Sequence, residues 1–141
     1  MTRVTREDAR QALVRALQPA LTGVRVQYPN MPKVDISVDK TPYVTVHLIY
    51  IDGEATGIGS TANQRYSGSI VVQVHFKKHD PTTATTVNNL LDGIQSVISN
   101  TDIHKPLRTY GTKPKSGESE EEGWAVEGLV TPFWYDTSMR A

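Results

Sequence analysis

The side chains of this sequence that could do chemistry are four histidines and a scatter of hydroxyl groups. His47 and His75 each lie in the middle of a predicted strand, and histidines on neighbouring strands can bind a metal ion. No carboxylate lies at ligand spacing beside either one, and a shift of one residue in strand pairing would move them to opposite faces. A small metal-dependent enzyme that uses this pair stays open as one alternative.

Other catalytic patterns are missing from the sequence. No serine lies in a nucleophile-elbow motif, and no carboxylate is placed to orient a histidine base. The run Glu120, Glu121 and Glu122 is a cluster of like charges and not a catalytic pair tuned by burial. Residues 57–59 resemble a phosphate loop only in their glycines, because no Gly-Lys-Ser/Thr motif and no helix follow. We therefore expect a protein that is not an enzyme and holds no cofactor or metal.

Length and composition predict a single domain over residues 1–141. The absence of cysteine excludes disulfides and thiolate metal sites. Fifteen basic and fifteen acidic residues give a formal charge of zero, which argues against nucleic acid as the main partner, since phosphate binding needs a cationic surplus. Neither a signal peptide nor a stretch of membrane-spanning length is recognisable, so we expect a soluble protein without a membrane partner, made in the cytoplasm.

Two helices are predicted from the spacing of apolar residues. Thr5 and Asp8 form the pattern of a capping box, and the helix that follows should end near Pro19. A second helix should run over residues 80–98, because an acidic N-cap and a proline open its apolar pattern. Gly93 interrupts that pattern, and we expect it to mark a close approach of this helix to a strand.

The remaining apolar segments predict strands. Residues 43–51 and 69–76 are rich in β-branched and aromatic types and should form antiparallel neighbours. A weaker strand is expected within residues 104–113, and a final strand over 124–135. These elements predict an α+β fold with a mixed, mostly antiparallel sheet of about four to five strands flanked by two α-helices.

Two connecting segments are candidates for contacts with a partner. Residues 52–65 are too long and glycine-rich for a tight turn, and we interpret them as a flexible arm or loop that orders against a partner, with plain disorder as the alternative. Residues 114–123 form an acidic loop that follows a basic stretch, and the two could pair head to tail between copies or form a solvated hairpin tip. The basic residues are Lys105, Arg108, Lys113 and Lys115.

The end of the chain carries three consecutive aromatic residues, Phe133, Trp134 and Tyr135. In a strand, Trp134 must face one side of the sheet while its two neighbours face the other. Pro132 cannot donate a ladder hydrogen bond and predicts that this stretch lies at a sheet edge, a bulge or a strand end. We therefore expect these three residues to lie where another protein can cover one of the two faces of their strand.

The order of these elements resembles that of the tail terminator, or tail completion, proteins of long-tailed bacteriophages. The resemblance covers the chain from Val24 to Asp136 and depends on the order and spacing of its elements, since none of them is a catalytic motif. The matching residues are Tyr28-Pro29-Asn30, the strand from Gly68 to Val74, Gly123-Trp124, and Pro132-Phe133-Trp134-Tyr135-Asp136.

The resemblance implies a subunit of a hexameric ring that caps the completed tail tube, stops its polymerisation and provides the surface that joins the head. Its partners would be further copies of itself, the major tail tube protein and the head–tail connector protein, at the head-proximal end of the tail in the virion. DNA would meet it only by passing through the ring lumen, and the protein would be made in the host cytoplasm. The resemblance carries over no catalytic residues.

We expect the subunit or tail-tube contacts to involve charged residues of the two connecting segments, one basic residue beside them and one aromatic residue. A head-completion or neck adaptor protein is the alternative within the same class of particle. The expected contact residues are Asp52, Glu54, Arg65, Arg108, Glu120, Glu121, Glu122 and Trp134.

Overall fold

The fold is given by a computed structural model that describes residues 3–33, 41–55, 64–78, 83–99, 102–104, 106–117 and 123–137. The α+β fold with a mixed, mostly antiparallel sheet and two α-helices is confirmed. In chain order the described elements are α1 (Arg6–Leu17), a 3₁₀ turn (Gln18–Leu21), β1 (Arg25–Gln27), β2 (Tyr43–Ala55), β3 (Gln64–Lys77), α2 (Thr83–Ile98), β4 (Asp102–His104), β5 (Leu107–Thr109), β6 (Lys113–Gly117) and β7 (Trp124–Asp136).

The described strands form one seven-stranded sheet, which is more than the four to five expected. Its order is β1–β2–β3–β7–β5–β4, and β6 pairs with β7 on the same side as β5. β1 and β2 are parallel, and all other pairs are antiparallel. The extra strands have only three to five residues, too short for a period-two pattern to reveal them.

The central strands β2, β3 and β7 carry the core on one face, here called the inner face. Because strand side chains alternate, residues that pair across the three strands share a face, as Val46, Val72 and Leu129 do. The inner-face residues in the buried cluster are Val44, Val46, Ile70, Val72, Val74, Leu129, Phe133 and Tyr135.

Both helices bury their apolar sides in the same cluster. α1 contributes Leu13 and Leu17, and α2 contributes Ile94 and Ile98. Each of these buried side chains contributes about 1.5–3 kcal/mol relative to an exposed one. The predicted capping box of α1 is confirmed, since the Thr5 hydroxyl accepts a hydrogen bond from the Asp8 N–H at 3.1 Å and the Asp8 carboxylate accepts one from the Thr5 N–H at 2.9 Å.

Two of the three positions that Pro132 predicts for the final strand, a sheet edge and a strand end, are wrong. β7 is an interior strand that pairs with β3 along its length and with β5 and β6 on its other side. The carbonyl of Pro132 accepts a hydrogen bond from the Tyr110 N–H at 3.2 Å, so the side of Pro132 that lacks a donor faces the connection between β5 and β6. The sheet therefore loses no ladder bond where proline cannot donate one.

Parts of both predicted loops are strands. Asp52–Ala55 extends β2 and Gln64–Arg65 begins β3, so the described ends of the 52–65 arm are paired strands. Residues 113–117 form β6, so the acidic loop does not begin at residue 114. Residues 56–63 and 118–122, which include Glu120, Glu121 and Glu122, lie outside the described residues.

The close approach expected at Gly93 is also wrong. A Cβ atom built on Gly93 would meet no neighbouring atom within 4 Å beyond its own helix backbone. The start predicted for this helix, at residues 80 and 81, lies outside the described residues.

Hydrogen bonds join the two described ends of the chain. The Val4 N–H donates to the Thr137 carbonyl at 3.0 Å, and the Thr137 N–H donates to the Gln64 carbonyl at 2.9 Å. The Gln64 N–H in turn donates to the Thr137 hydroxyl at 2.9 Å. The segment before α1 is therefore fixed to the end of β7 and the start of β3.

Candidate assembly surface

The second face of the sheet, here called the outer face, lies opposite the helices. Its residues alternate with the inner-face residues along β2, β3 and β7, and they are absent from the buried cluster that contains both helices. Two groups of these residues lie at opposite ends of the long strands. We call them the aromatic cluster and the charged cluster.

The aromatic cluster consists of Tyr43, His75 and Trp124. The rings of Tyr43 and His75 are stacked with centroids 4.5 Å apart, and Trp124 meets Tyr43 edge-on at 5.5 Å. The Thr45 hydroxyl lies 2.9 Å from His75 Nε2. Burial lowers the pKa of His75, and the charge of His47 lowers it further, so the imidazole is neutral at pH 7. Tyr43 and Trp124 are buried, and His75 is partly exposed.

The charged cluster lies at the other end of the outer face. Glu54, Arg65 and Asp136 are direct neighbours in one row across β2, β3 and β7. The adjacent row across the four strands β2, β3, β7 and β5 is formed by Asp52, Ser67, Trp134 and Arg108. The charged cluster consists of Asp52, Glu54, Arg65, Arg108, Trp134 and Asp136.

Arg65 is the centre of this cluster. Its guanidinium donates two hydrogen bonds to the Asp136 carboxylate, from Nε at 2.7 Å and from Nη2 at 2.9 Å. These bonds lower the pKa of Asp136 and raise that of Arg65. A forked pair of this kind holds the guanidinium in one orientation although its side chain is 43% exposed.

Trp134 lies between two guanidinium groups. The Arg65 guanidinium carbon is 4.3 Å from the centre of a Trp134 ring, and that of Arg108 is 5.3 Å away. Cation–π contacts of this kind contribute about 0.5–1 kcal/mol each at exposed sites. Tryptophan and arginine are also the residues most enriched among the energetic centres of protein interfaces. The cluster is thus a pre-ordered set of groups suited to protein contact.

Two aliphatic side chains beside the charged cluster are exposed, one of them at a β-bulge. The register of β2 shifts between Tyr50 and Asp52, which leaves Ile51 as the extra residue. Ile51 is 73% exposed and Ile49 is 48% exposed. The Asp52 carboxylate accepts a hydrogen bond from the Gly53 N–H at 2.8 Å. Exposed isoleucines next to ordered charges form a mixed surface of the kind found in interfaces.

The inner side of the same end contains a cluster of aromatic rings. The hydroxyl groups of Tyr50 and Tyr135 lie 2.8 Å apart, and Arg6 covers the Tyr50 and Tyr66 rings at 4.6 and 5.2 Å. Burial raises the pKa of both Tyr50 and Tyr135. These phenols therefore stay protonated at neutral pH.

The structure brings together five of the eight residues expected to make contacts, and the three glutamates at 120–122 lie outside the described residues. Sequence reasoning missed Asp136, Ile49 and Ile51. Asp136 could have been predicted as a site residue, because it is a charged residue at the end of an apolar strand. The bulge that exposes Ile51 had no signal, since it depends on the pairing of β2 with β3. The five expected residues that come together are Asp52, Glu54, Arg65, Arg108 and Trp134.

Both mid-strand histidines lie on one face of the sheet. His47 and His75 lie on the same outer face, because they pair with Val71 and Tyr43 respectively. Within the described part of the chain, no three histidine, aspartate or glutamate side chains come together in an arrangement that could hold a metal ion. Of the helices in that same part, none is long and apolar enough to span a membrane.

Comparison with models of known protein families gives no match for this sequence, and neither does comparison with curated proteins. Comparison of the fold with solved structures does find matches. One is a chain of the structure titled "Virion of native gene transfer agent (GTA) particle", with a TM-score of 0.57 and 15% sequence identity. The alignment covers 90% of this chain and 93% of that chain. At this identity the likeness shows a shared fold, over nearly the whole length of both chains.

Proposed function

We propose that this protein is a structural component of a phage-type virion, and within that class a tail terminator. It forms a ring, a hexamer by the resemblance of its element order, that caps the tail tube. The ring ends polymerisation of the tube protein and offers the surface on which the head connector binds. DNA passes through its lumen at the head-proximal end of the tail.

The observation that carries the proposal is the fold likeness to a chain of a gene transfer agent virion over 90% of this chain. An independent observation from the residues agrees with it. The charged cluster is built from strands that are far apart in sequence and holds Trp134 between Arg65 and Arg108. Such ordered, partly exposed groups fit a protein that assembles with others.

The proposed mechanism is steric and needs no catalytic group. One face of the ring binds the last ring of tube subunits through surfaces complementary to theirs. The opposite face lacks the surface that a further tube subunit requires, so growth stops there and the connector binds instead. Charged contacts fix the orientation of each subunit more than they add affinity.

Deletion of the gene from a particle-producing genome tests this role. Without a terminator, tube polymerisation has no stop, so electron micrographs should show free tails of variable and excessive length alongside tailless heads. Expression of the protein in trans should restore uniform tails joined to heads. Normal tail lengths in the deletion strain would contradict the proposal.

The same experiment separates the terminator from the neck adaptor alternative. Loss of an adaptor on the head side would leave free tails of uniform length. Binding of the purified protein, measured by co-sedimentation, gives a second test: a terminator binds polymerised tail tubes, whereas an adaptor binds tailless heads.

The three glutamates at 120–122 can be tested in the same system. Replacing Glu120, Glu121 and Glu122 by lysine reverses the charge of the acidic segment, and we expect fewer joined particles or irregular tails. Replacement by glutamine is the milder comparison. Normal tail length and infectivity of the lysine variant would rule out a contact at these positions.

A further inference from the structure

The two edges of the sheet differ in chemistry. β6 is an edge strand that pairs only with β7 among the described strands, and it carries exposed Lys113 and Lys115 on either side of Pro114. Lysine and proline are typical of edges protected against uncontrolled strand addition. β6 therefore offers a short cationic edge.

β2 presents an anionic edge on the opposite side of the sheet. Beyond its three residues paired with β1, the described part of the chain pairs with β2 only through β3. Asp52 and Glu54 lie on the outer face of this stretch, and both are exposed. Ile49 and Ile51, the most exposed aliphatic side chains of β2, lie just before them.

We propose that β6 of one copy docks against the β2 edge of the next, so that Lys113 and Lys115 meet Glu54 and Asp52 and the sheet continues from subunit to subunit. This inference rests on the proposed ring and names the contact that builds it. A second copy is the chosen occupant because its charges complement the β2 edge in sign, spacing and face.

The spacing and the faces agree on the two edges. Lys113 and Lys115 are two residues apart and pair with Val130 and Gly128, which places both on the outer face. Asp52 and Glu54 are likewise two residues apart and on the outer face. When the outer faces of two copies are continuous, both cations meet both anions.

The strand directions also agree. β6 is antiparallel to β7, β7 to β3, and β3 to β2, so β6 and β2 run in opposite directions within one subunit. Copies joined edge to edge with the same orientation therefore pair β6 and β2 antiparallel. In that pairing Lys115 faces Asp52 when Lys113 faces Glu54.

The contact requires a stagger along the strands. Within one subunit the pairing register carries Lys113 across Val130 and Val71 to His47, seven residue numbers before Glu54. Bringing Lys113 to Glu54 of the next copy shifts that copy by about 20 Å along the strand direction, at about 3.3 Å per residue and allowing for the bulge. Sheets that close on themselves need such a stagger.

The charges act mainly on partner choice and orientation. Exposed ion pairs add little energy individually, and Glu54 already lies in the field of Arg65 within its own chain. Pro114 has no N–H to donate, so the backbone ladder between copies is short. Burial of Ile51 supplies the apolar part. Because the two edges are different surfaces, the contact is head to tail and can close into a ring.

Two charge-reversed variants test the contact. Variant A carries Asp52→Lys and Glu54→Lys, so that both of its edges are cationic. Variant B carries Lys113→Glu and Lys115→Glu, so that both of its edges are anionic. Each should be monomeric by native mass spectrometry at protein concentrations where the wild type forms oligomers. Mixed in equal amounts, they should form oligomers in which A and B alternate.

The mixing step distinguishes a contact from a folding defect, because two misfolded variants would not rescue each other. Asp92→Lys, a charge reversal at an exposed position of α2, is the matched control and should oligomerise as the wild type does. Oligomers of unchanged size in A or in B alone would overturn the inference, and so would failure of the mixture to assemble.

A disulfide trap covers the case in which the wild type is monomeric without the tail tube. The chain has no cysteine, so Glu54→Cys combined with Lys113→Cys introduces the only thiols. Oxidation at high protein concentration should give a ladder of covalent oligomers, and each single cysteine variant at most a dimer. No ladder would overturn the inference, while the deletion experiment on tail length would still decide the proposed function separately.

Discussion

The hydroxyl groups of Tyr50 and Tyr135 lie 2.8 Å apart and join β2 to β7 across β3. Tyr135 is fully buried, whereas Tyr50 is partly exposed. Removing the Tyr50 hydroxyl therefore leaves a buried phenol without its partner, while the reverse change leaves a phenol that can turn to water. The two single substitutions should thus differ in stability although each removes the same bond.

We expect Tyr50→Phe to lower the free energy of unfolding by about 1–3 kcal/mol and Tyr135→Phe by less. The double variant should be more stable than Tyr50→Phe alone, because it also removes the buried Tyr135 hydroxyl that the single change leaves without a partner. Urea denaturation of the four proteins in a double-mutant cycle measures this. A double variant at the sum of the two losses would show that the hydroxyls do not interact.

Gly68 is required by the close pairing of β3 with β2. A Cβ atom at this position would overlap the carbonyl oxygen of Ile49 and lie 2.9 Å from Cε1 of Phe133. Relief requires movement of the β2 backbone, so Gly68→Ala should destabilise the protein by about 1–3 kcal/mol or more. Thermal denaturation measures the loss, and wild-type stability would show that the backbone adapts freely here.

Gly93, unlike Gly68, has room for a larger side chain. Nothing lies within 4 Å of a Cβ atom built on it, and its backbone belongs to α2. Gly93→Ala should stabilise the protein by up to about 1 kcal/mol, since alanine is the better helix former and restricts the unfolded chain. A lower melting temperature than the wild type would contradict this expectation.

His75 should make stability depend on pH. Its pKa in the folded protein is lowered by burial and then by His47, so the unfolded chain binds the proton first as the pH falls. The contribution of the neutral His75 to the free energy of unfolding is fully present above the ordinary histidine pKa of 6.5. It is lost as the pH falls below 6.5 towards the lower pKa of the folded protein. The free energy of unfolding should therefore rise between pH 5 and about pH 7.

The variant His75→Phe keeps a ring beside Tyr43 and removes the titrating group. Its free energy of unfolding should change less with pH over that range than the wild-type value. His47→Gln, at an exposed position, should retain most of the wild-type slope. Equal slopes for His75→Phe and the wild type would assign the pH dependence to other groups.

The charged cluster predicts a variant that folds but assembles poorly. Arg108→Glu removes a guanidinium from beside Trp134 and places an anion near Asp136, on a residue whose side chain is exposed. We expect a melting temperature close to that of the wild type and a lower yield of joined particles in complementation. Arg15→Glu, exposed on α1, is the control and should complement fully.

The sequence predicted the elements that depend on local patterns. The capping box at Thr5 and Asp8, the core side of α2 and the pairing of the two long strands all follow from spacing that a single element imposes. The sequence does not distinguish β4, β5 and β6 as separate strands, because segments of three to five residues are too short to show a periodic pattern of apolar residues. Their existence depends on the length of β7, which offers them a partner.

The error at Pro132 has a specific cause. Proline excludes a strand from the sheet interior only if a neighbouring strand needs its N–H. Here β5 ends at Thr109 and β6 begins at Lys113, so the deficient position faces the connection between them. The sequence shows that Pro132 cannot donate a hydrogen bond. It does not show which strands lie beside Pro132 in the sheet.

The candidate site shows the same limit. The sequence indicates Asp52, Arg65 and Trp134 as charged or aromatic residues in segments expected to contact a partner. Their proximity comes from the register that pairs Asp52 with Ser67, and Ser67 with Trp134. Residues that are 82 apart in the sequence, counted from 52 to 134, meet only through that register. The sequence shows which of these residues are charged or aromatic, but it does not show that they lie next to one another in the fold.

The hydrogen bond between Val4 and Thr137 makes the molecule mechanically anisotropic. Tension applied between these two positions would load one hydrogen bond at a time and peel the segment away. Force applied along β3 against β7 would have to shear thirteen paired residues together. The force needed to unfold the protein should therefore be low when it is pulled from the two described ends of the chain. It should be high when the protein is pulled through β3 and β7.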